Sequence, residues 1–106
     1  MTIDDKREQA FEAGFVHEEE LRFKAIARRN HKLGTWGAQM LGKTGKAGQA
    51  YAETIVALGL EADGNAKILA RLSADFDANG VDKSQRRIEQ TMDDMMAEAM
   101  NHMKDH

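Results

Sequence analysis

Gly37-Ala38-Gln39-Met40-Leu41-Gly42-Lys43-Thr44 matches the phosphate-loop pattern G-x-x-x-x-G-K-[ST] letter for letter, and the fold of the chain turns on how this stretch is read. A working phosphate loop needs a buried strand before it and a helix after it, inside a parallel sheet. The surrounding residues argue for something else. Trp36 and Met40 continue a stripe begun by Ile26 and Leu33 at helical spacing, so Gly37 to Leu41 reads as the end of a helix. Gly42 then serves as its C-cap and Thr44 as the N-cap of the next helix, with Lys43 in the turn between them. A weaker function survives: Lys43 and the free amides that open the second helix can hold a phosphate without hydrolysing it.

Working outward, glycine supplies the remaining punctuation. Asp63-Gly64-Asn65 forms a turn cluster, and Asn79-Gly80 has the form of a helix end with a left-handed residue. The spacing predicts four helices, from about Glu18 to Leu41, Lys46 to Leu58, Ala66 to Ala78 and Gln85 to Met103, with Thr44, Asn65 and Ser84 as N-caps. Each carries one apolar stripe: Ile26, Leu33, Trp36 and Met40; Tyr51, Ile55 and Leu58; Leu69, Leu72 and Phe76; Ile88, Met92, Met95, Ala99 and Met103. Short connections make sequence neighbours antiparallel, and a four-helix bundle buries all four stripes at once.

Composition agrees. The 106 residues include no Pro, no Cys and only 6% aromatics, which favours an all-α fold and excludes disulfides, thiolate zinc sites and cysteine nucleophiles. Fifteen Lys and Arg against eighteen Asp and Glu give a net charge of -3 with signs interspersed, the opposite of a nucleic-acid footprint. No leader-like start and no uncharged run of bilayer length is present, so the expectation is an unexported protein without membrane insertion.

Other motifs weaken on inspection. Asp75, Asp77, Asn79 and Gly80 occupy positions 1, 3, 5 and 6 of a calcium loop, but Arg86 stands where a bidentate Glu is required. Of His17, His31, His102 and His106, only the last two have the i, i+4 spacing of paired ligands, and they lack a third, so no metal is expected. Arg28, Lys32 and Trp36 at i, i+4 spacing present two cations and a ring suited to an anionic aromatic ligand. The Met residues from Met92 to Met103 mostly follow the core stripe, which gives them a packing role.

The first twenty residues differ from the rest. Beyond Met1, only Ile3, Phe11, Phe15 and Val16 are sizeable apolar residues there, and Phe11 and Phe15 share a helical face. Residues 1–20 therefore read either as an arm that folds on a partner or as a helix extension docked on the bundle formed by residues 21–106.

Taken together, Ala10-Phe11-Glu12, His17-Glu18-Glu19-Glu20-Leu21-Arg22-Phe23-Lys24, Ala27-Arg28-Arg29-Asn30, Trp36, Leu41-Gly42-Lys43-Thr44-Gly45, Tyr51-Ala52 and Asp75-Phe76-Asp77-Ala78 resemble the zeta-subunit family, the α-proteobacterial inhibitor of the F1Fo ATP synthase. The resemblance implies a four-helix protein with a mobile, partly helical N-terminal arm that lodges in the F1 catalytic head, at the α/β interface and γ, and blocks ATP hydrolysis. It implies no catalysis by the chain itself, a free monomer, and a cytoplasmic location held to the membrane-bound synthase through F1. Lys6, Arg7, Glu8 and Glu12 become polar contacts, with Phe11 and Phe15 as anchors. ADP or ATP is the implied regulatory ligand, for which Arg28, Lys32, Trp36, Gly42, Lys43 and Thr44 are the candidate residues. The alternative is a stand-alone adenine-nucleotide sensor acting on another target. Gly37, where the family more usually has alanine, and the Met-rich last helix depart from the family pattern.

Overall fold

In the computed structural model, the backbone of residues 2–105 and the side chains of residues 18–103 are described. Four helices follow one another: α1 Thr2–Met40, α2 Gly45–Gly59, α3 Gly64–Ala78 and α4 Gln85–Asp105, with no strand among the described residues. The all-α bundle is therefore as expected, and three helices begin and end within two residues of their expected bounds. The first does not. It starts at Thr2 rather than near Glu18, so the helix runs on through residues 2–17. With no proline and a single glycine before Gly34, nothing in the sequence breaks it. The side chains of Lys6, Arg7, Glu8, Phe11, Glu12, Phe15 and His17 lie outside the described residues, as does all of Met1 and His106.

Each of α1 and α3 packs against both α2 and α4, so α1 sits diagonally from α3 in a square of helices. The fully buried Leu33, Ile55, Ile68, Leu72, Phe76 and Ile88 come from all four helices and form one core, with Tyr51 and Met92 at its edge. Trp36 meets Phe76 edge to face, ring centroids 5.5 Å apart.

The buried face of α1 is only partly the stripe of large residues expected from its sequence: Leu33 is fully buried, while Trp36 and Met40 pack on the edge of the core. Ala25, Arg29, Asn30, Leu33, Gly34, Gly37 and Ala38 are buried, while Ile26, Trp36 and Met40 are only half-buried. The cause is the close approach of α2. A Cβ on Gly34 would lie 2.7 Å from the Ala52 Cα and 3.1 Å from the Ile55 Cβ, and one on Gly48 would touch the Ala38 Cβ at 3.9 Å. Contacts running from Asn30 against Gly59, through Gly34 against Ala52, to Ala38 beside Gly48 make the two helices antiparallel. Backbones this close leave no room for large side chains between them, so those sit to either side of the seam.

Candidate functional site: a cleft on the α1–α2 seam

Where α1 ends, the phosphate-loop letters become a helix cap. Gly42 takes φ 73°, its amide donates to the Gln39 carbonyl at 3.0 Å, and the Lys43 amide donates to the Ala38 carbonyl at 2.9 Å. This paired pattern is a Schellman motif, and it consumes two amides that a phosphate loop would turn toward its ligand. α3 ends the same way: Gly80 has φ 69°, Val81 donates to Phe76 at 2.9 Å, and Val81 then packs on the core.

The caps at helix starts are mixed. Ser84 Oγ accepts from the Arg87 amide at 3.1 Å, as expected. Thr44 occupies the N-cap position of α2 but makes no side-chain cap bond. Asn65 is not a cap at all: Asp63 holds that position in left-handed geometry, and the Asn65 side chain accepts from Arg29 instead.

Beside the α1–α2 turn lies a cleft of about 560 Å³. Ala38, Gly48 and Ala52 form its small-residue floor, and His31, Thr35, Gln39, Lys43, Thr44, Gln49 and Glu53 form its rim. Its shape follows from the seam: short side chains on facing turns leave a trough that long polar ones border. Of the six candidate nucleotide residues, the structure brings only Lys43 and Thr44 into this cleft, with Gly42 in the adjoining cap. Arg28, Lys32 and Trp36 are not among its lining residues. Lys32 Nζ donates to Glu98 Oε1 across to α4, holding that carboxyl below the ordinary carboxylate range, and Trp36 is occupied by Phe76. Thr35, Gln39, Gln49 and Glu53 carried no functional reading in the sequence, and His31 was weighed there only as a metal ligand. The signal that points to them is Gly34 and Ala38 facing Gly48 and Ala52, two small-residue pairs at i, i+4 spacing.

Close by, the Tyr51 hydroxyl donates to Asp75 Oδ2 at 2.8 Å, and Arg71 Nε donates to the same oxygen at 2.8 Å. Lys43 and Arg71 each lie about 6 Å from the Tyr51 ring centroid. Burial pushes the Tyr51 phenol up, and its bond to Asp75 adds to the shift. The first ligand position of the calcium-like loop is thus already committed to a tyrosine and an arginine. Among the described residues no group of three or more His, Asp or Glu is placed to hold a metal.

Among the described residues the buried charge is Arg29. Its Nε donates to Asn30 Oδ1 at 2.7 Å and its Nη2 to Asn65, tying α1 to the start of α3. Burial pulls the guanidinium pKa down, and Asp93 opposes that.

The hydroxyls of Thr35, Thr54 and Thr91 each donate to the carbonyl four residues back, so none is poised beside a base. With a trough along one seam and one helix far longer than its neighbours, the described residues form an all-helical bundle with an extended first helix. By sequence, the chain matches ATPase inhibitor subunit zeta over residues 1–102 and belongs to that family. No curated protein matches it. No helix among the described residues is long and apolar enough to cross a membrane.

Proposed function

We propose that this chain is a non-catalytic regulatory subunit that blocks ATP hydrolysis by a bacterial F1Fo ATP synthase, lodging residues 1–20 in the F1 head at the catalytic α/β interface and γ. The observation that carries the reading is the length of α1, 39 residues against 15 in α2, in a chain of the ATPase-inhibitor family. At 1.5 Å per residue α1 is about 58 Å long and α2 about 22 Å. Gly59, the last residue of α2, meets Asn30, so α2 does not accompany the first half of α1.

Sequence explains how such a segment acts on a rotary enzyme. Residues 1–20 hold too few apolar side chains to bury against their own bundle, so the cost of ordering them is offset on docking. Phe11 and Phe15 anchor the docked face, with Lys6, Arg7, Glu8 and Glu12 around it. A wedge that fits the hydrolytic arrangement better than the synthetic one shifts the population only toward the former, so rotation driven by proton flow expels it.

ADP or ATP is proposed as a regulatory ligand of the seam cleft, its phosphates against Lys43 and the first-turn amides of α2, which Thr44 leaves uncapped. Arg28, Lys32 and Trp36 lie on the α4 side of α1 and belong to that ligand only if Lys32 leaves Glu98.

Purified cognate F1 assayed with and without the chain tests the reading. Full-length chain should suppress hydrolysis, and chain lacking residues 1–20 should keep its helical circular dichroism yet fail to inhibit. Full inhibition by the truncated chain would remove the arm from the mechanism.

A further inference from the structure

A second cavity, of about 320 Å³, opens between α1, the start of α3 and α4, and it shares no lining residue with the seam cleft. Arg29 lines it from α1, although the residue is only 4% exposed. Its Nε and Nη2 donate to the amide oxygens of Asn30 and Asn65, and Nη1 has no hydrogen-bond partner among the described residues. No enclosed side-chain nitrogen or oxygen there lacks a partner, so Nη1 is open to the cavity. Both acceptors are neutral, and no described carboxylate lies within ion-pair distance of the guanidinium. A buried cation held by neutral groups alone retains much of its desolvation cost, and burial pulls the Arg29 pKa down despite the charge of Asp93.

The opposite imbalance comes from α4. Glu89 and Asp93 line the same cavity one helical turn apart, both exposed, and neither makes a hydrogen bond or ion pair among the described residues. Like charges at this spacing repel each other. Asp93 is near enough for its charge to act on Arg29 but too far away to pair with it, so a gap separates the two signs. Ala66 and Leu69 of α3 and Met92 of α4 supply the apolar part of the lining.

Charge selects what fits that gap. A simple anion satisfies Arg29 but is repelled by Glu89 and Asp93, and a simple amine satisfies the carboxylates but is repelled by Arg29. A molecule that carries both signs on one carbon suits all three, its carboxylate matched to the planar guanidinium. The volume lies at the small end for a ligand site, which leaves room for a short side chain beside the two charged groups. A chain terminus of a protein partner brings only one of the two charges.

We propose that this cavity binds a free α-amino acid with a small apolar side chain, its carboxylate on Arg29 Nη1, its ammonium against Asp93 and Glu89, and its side chain on Leu69 and Met92. The site is independent of how residues 1–20 act and of any ligand in the seam cleft.

The test titrates the full-length, isotope-labelled chain with L-alanine, L-valine, L-leucine and L-methionine, and with isobutylamine and isovalerate, which are valine without its carboxylate and without its amine. At least one of the four amino acids should shift the amides of Asn65, Ala66 and Asp93 to saturation, and isobutylamine and isovalerate should bind at least tenfold more weakly than valine. Glu89→Gln with Asp93→Asn should keep the helical circular dichroism, since both side chains are exposed, yet weaken amino-acid binding at least tenfold while no longer disfavouring isovalerate. Arg29 is left in place because it ties α1 to α3. Saturable shifts from none of the four amino acids would overturn the proposal, as would wild-type affinity in the double variant. Isovalerate binding as tightly as valine would reduce the site to a simple anion hole, and shifts centred on Gly42 to Lys46 would move the amino acid to the seam cleft; either result sinks the proposal.

Discussion

Tyr51 is the only tyrosine in the chain, so its ionisation can be read directly from absorbance near 295 nm. Burial and the bond to Asp75 favour its neutral form, which raises the folded-state pKa above the ordinary value of 10.0. Stability from that preference is fully present below pH 10 and is lost as pH rises, because the unfolded chain ionises first. The absorbance should stay flat through pH 10 and step upward only together with loss of helical circular dichroism; ionisation of the folded chain near pH 10 would contradict the burial. Glycines in the seam give a second contrast. Ala at Gly34 meets the Ala52 backbone at 2.7 Å, whereas Ala at Gly37 meets the far end of the Leu72 side chain at the same distance. Backbone cannot yield, so Gly34→Ala should cost about 1–3 kcal/mol in urea unfolding. At Gly37 the new methyl meets side chains, the tip of Leu72 and the Tyr51 ring at 3.1 Å, rather than backbone, and helix propensity returns about 1 kcal/mol, so Gly37→Ala should cost less than Gly34→Ala.

Between elements, the α1–α4 pair is bridged on its surface by Lys32 and Glu98. The Lys32 bond lowers the Glu98 pKa from 4.5, so its contribution is present above that value and disappears as pH falls through the lower folded-state one. The Glu98 side chain is 65% exposed, which keeps the effect small and salt-sensitive. Wild type should lose slightly more stability than Glu98→Gln between about pH 5 and pH 3, with the difference shrinking in high salt. Equal acid sensitivity in the two chains would mean that solvent already screens the pair. The α1–α2 pair depends on backbone proximity, which is indifferent to both pH and salt.

For the molecule as a whole, the cleft and the long helix lie at different levels of α1. The cleft borders its C-terminal turns, and the segment proposed to insert is its other end, so a ligand at Lys43 reaches that segment only through the bundle. ADP or ATP titrated against labelled chain should shift amides near Gly42 to Lys46 and those of the cleft, without phosphate release. Lys43→Ala should weaken that binding while leaving the cap intact, since only the Lys43 backbone serves the Schellman motif. Shifts confined to Arg28, Lys32 and Trp36 would move the nucleotide to the α4 side.

Sequence by itself determined the helical class, the number of helices and most of their ends, because these depend on local chemistry: apolar spacing, glycines able to take positive φ, and Ser84 with a hydroxyl three residues before an amide in need. It also disposed of the phosphate loop, whose letters sit where a helix must end. Tertiary structure decided the rest. Large residues such as Ile26 and Met40 mark an apolar face, but which part of that face is buried depends on how near α2 comes, and that distance is set by Gly34 and Ala52 acting across two helices. The cleft exists for the same reason, so its rim of His31, Thr35, Gln39, Gln49 and Glu53 is marked along the chain only indirectly, by the small-residue pairs Gly34/Ala38 and Gly48/Ala52, whose pairing is decided by the fold. Asn65 has the chemistry of a cap, yet the buried charge of Arg29, far away in sequence, claims its oxygen. A buried cation needs a partner more than an exposed helix start needs a cap, and only the fold brings the two together.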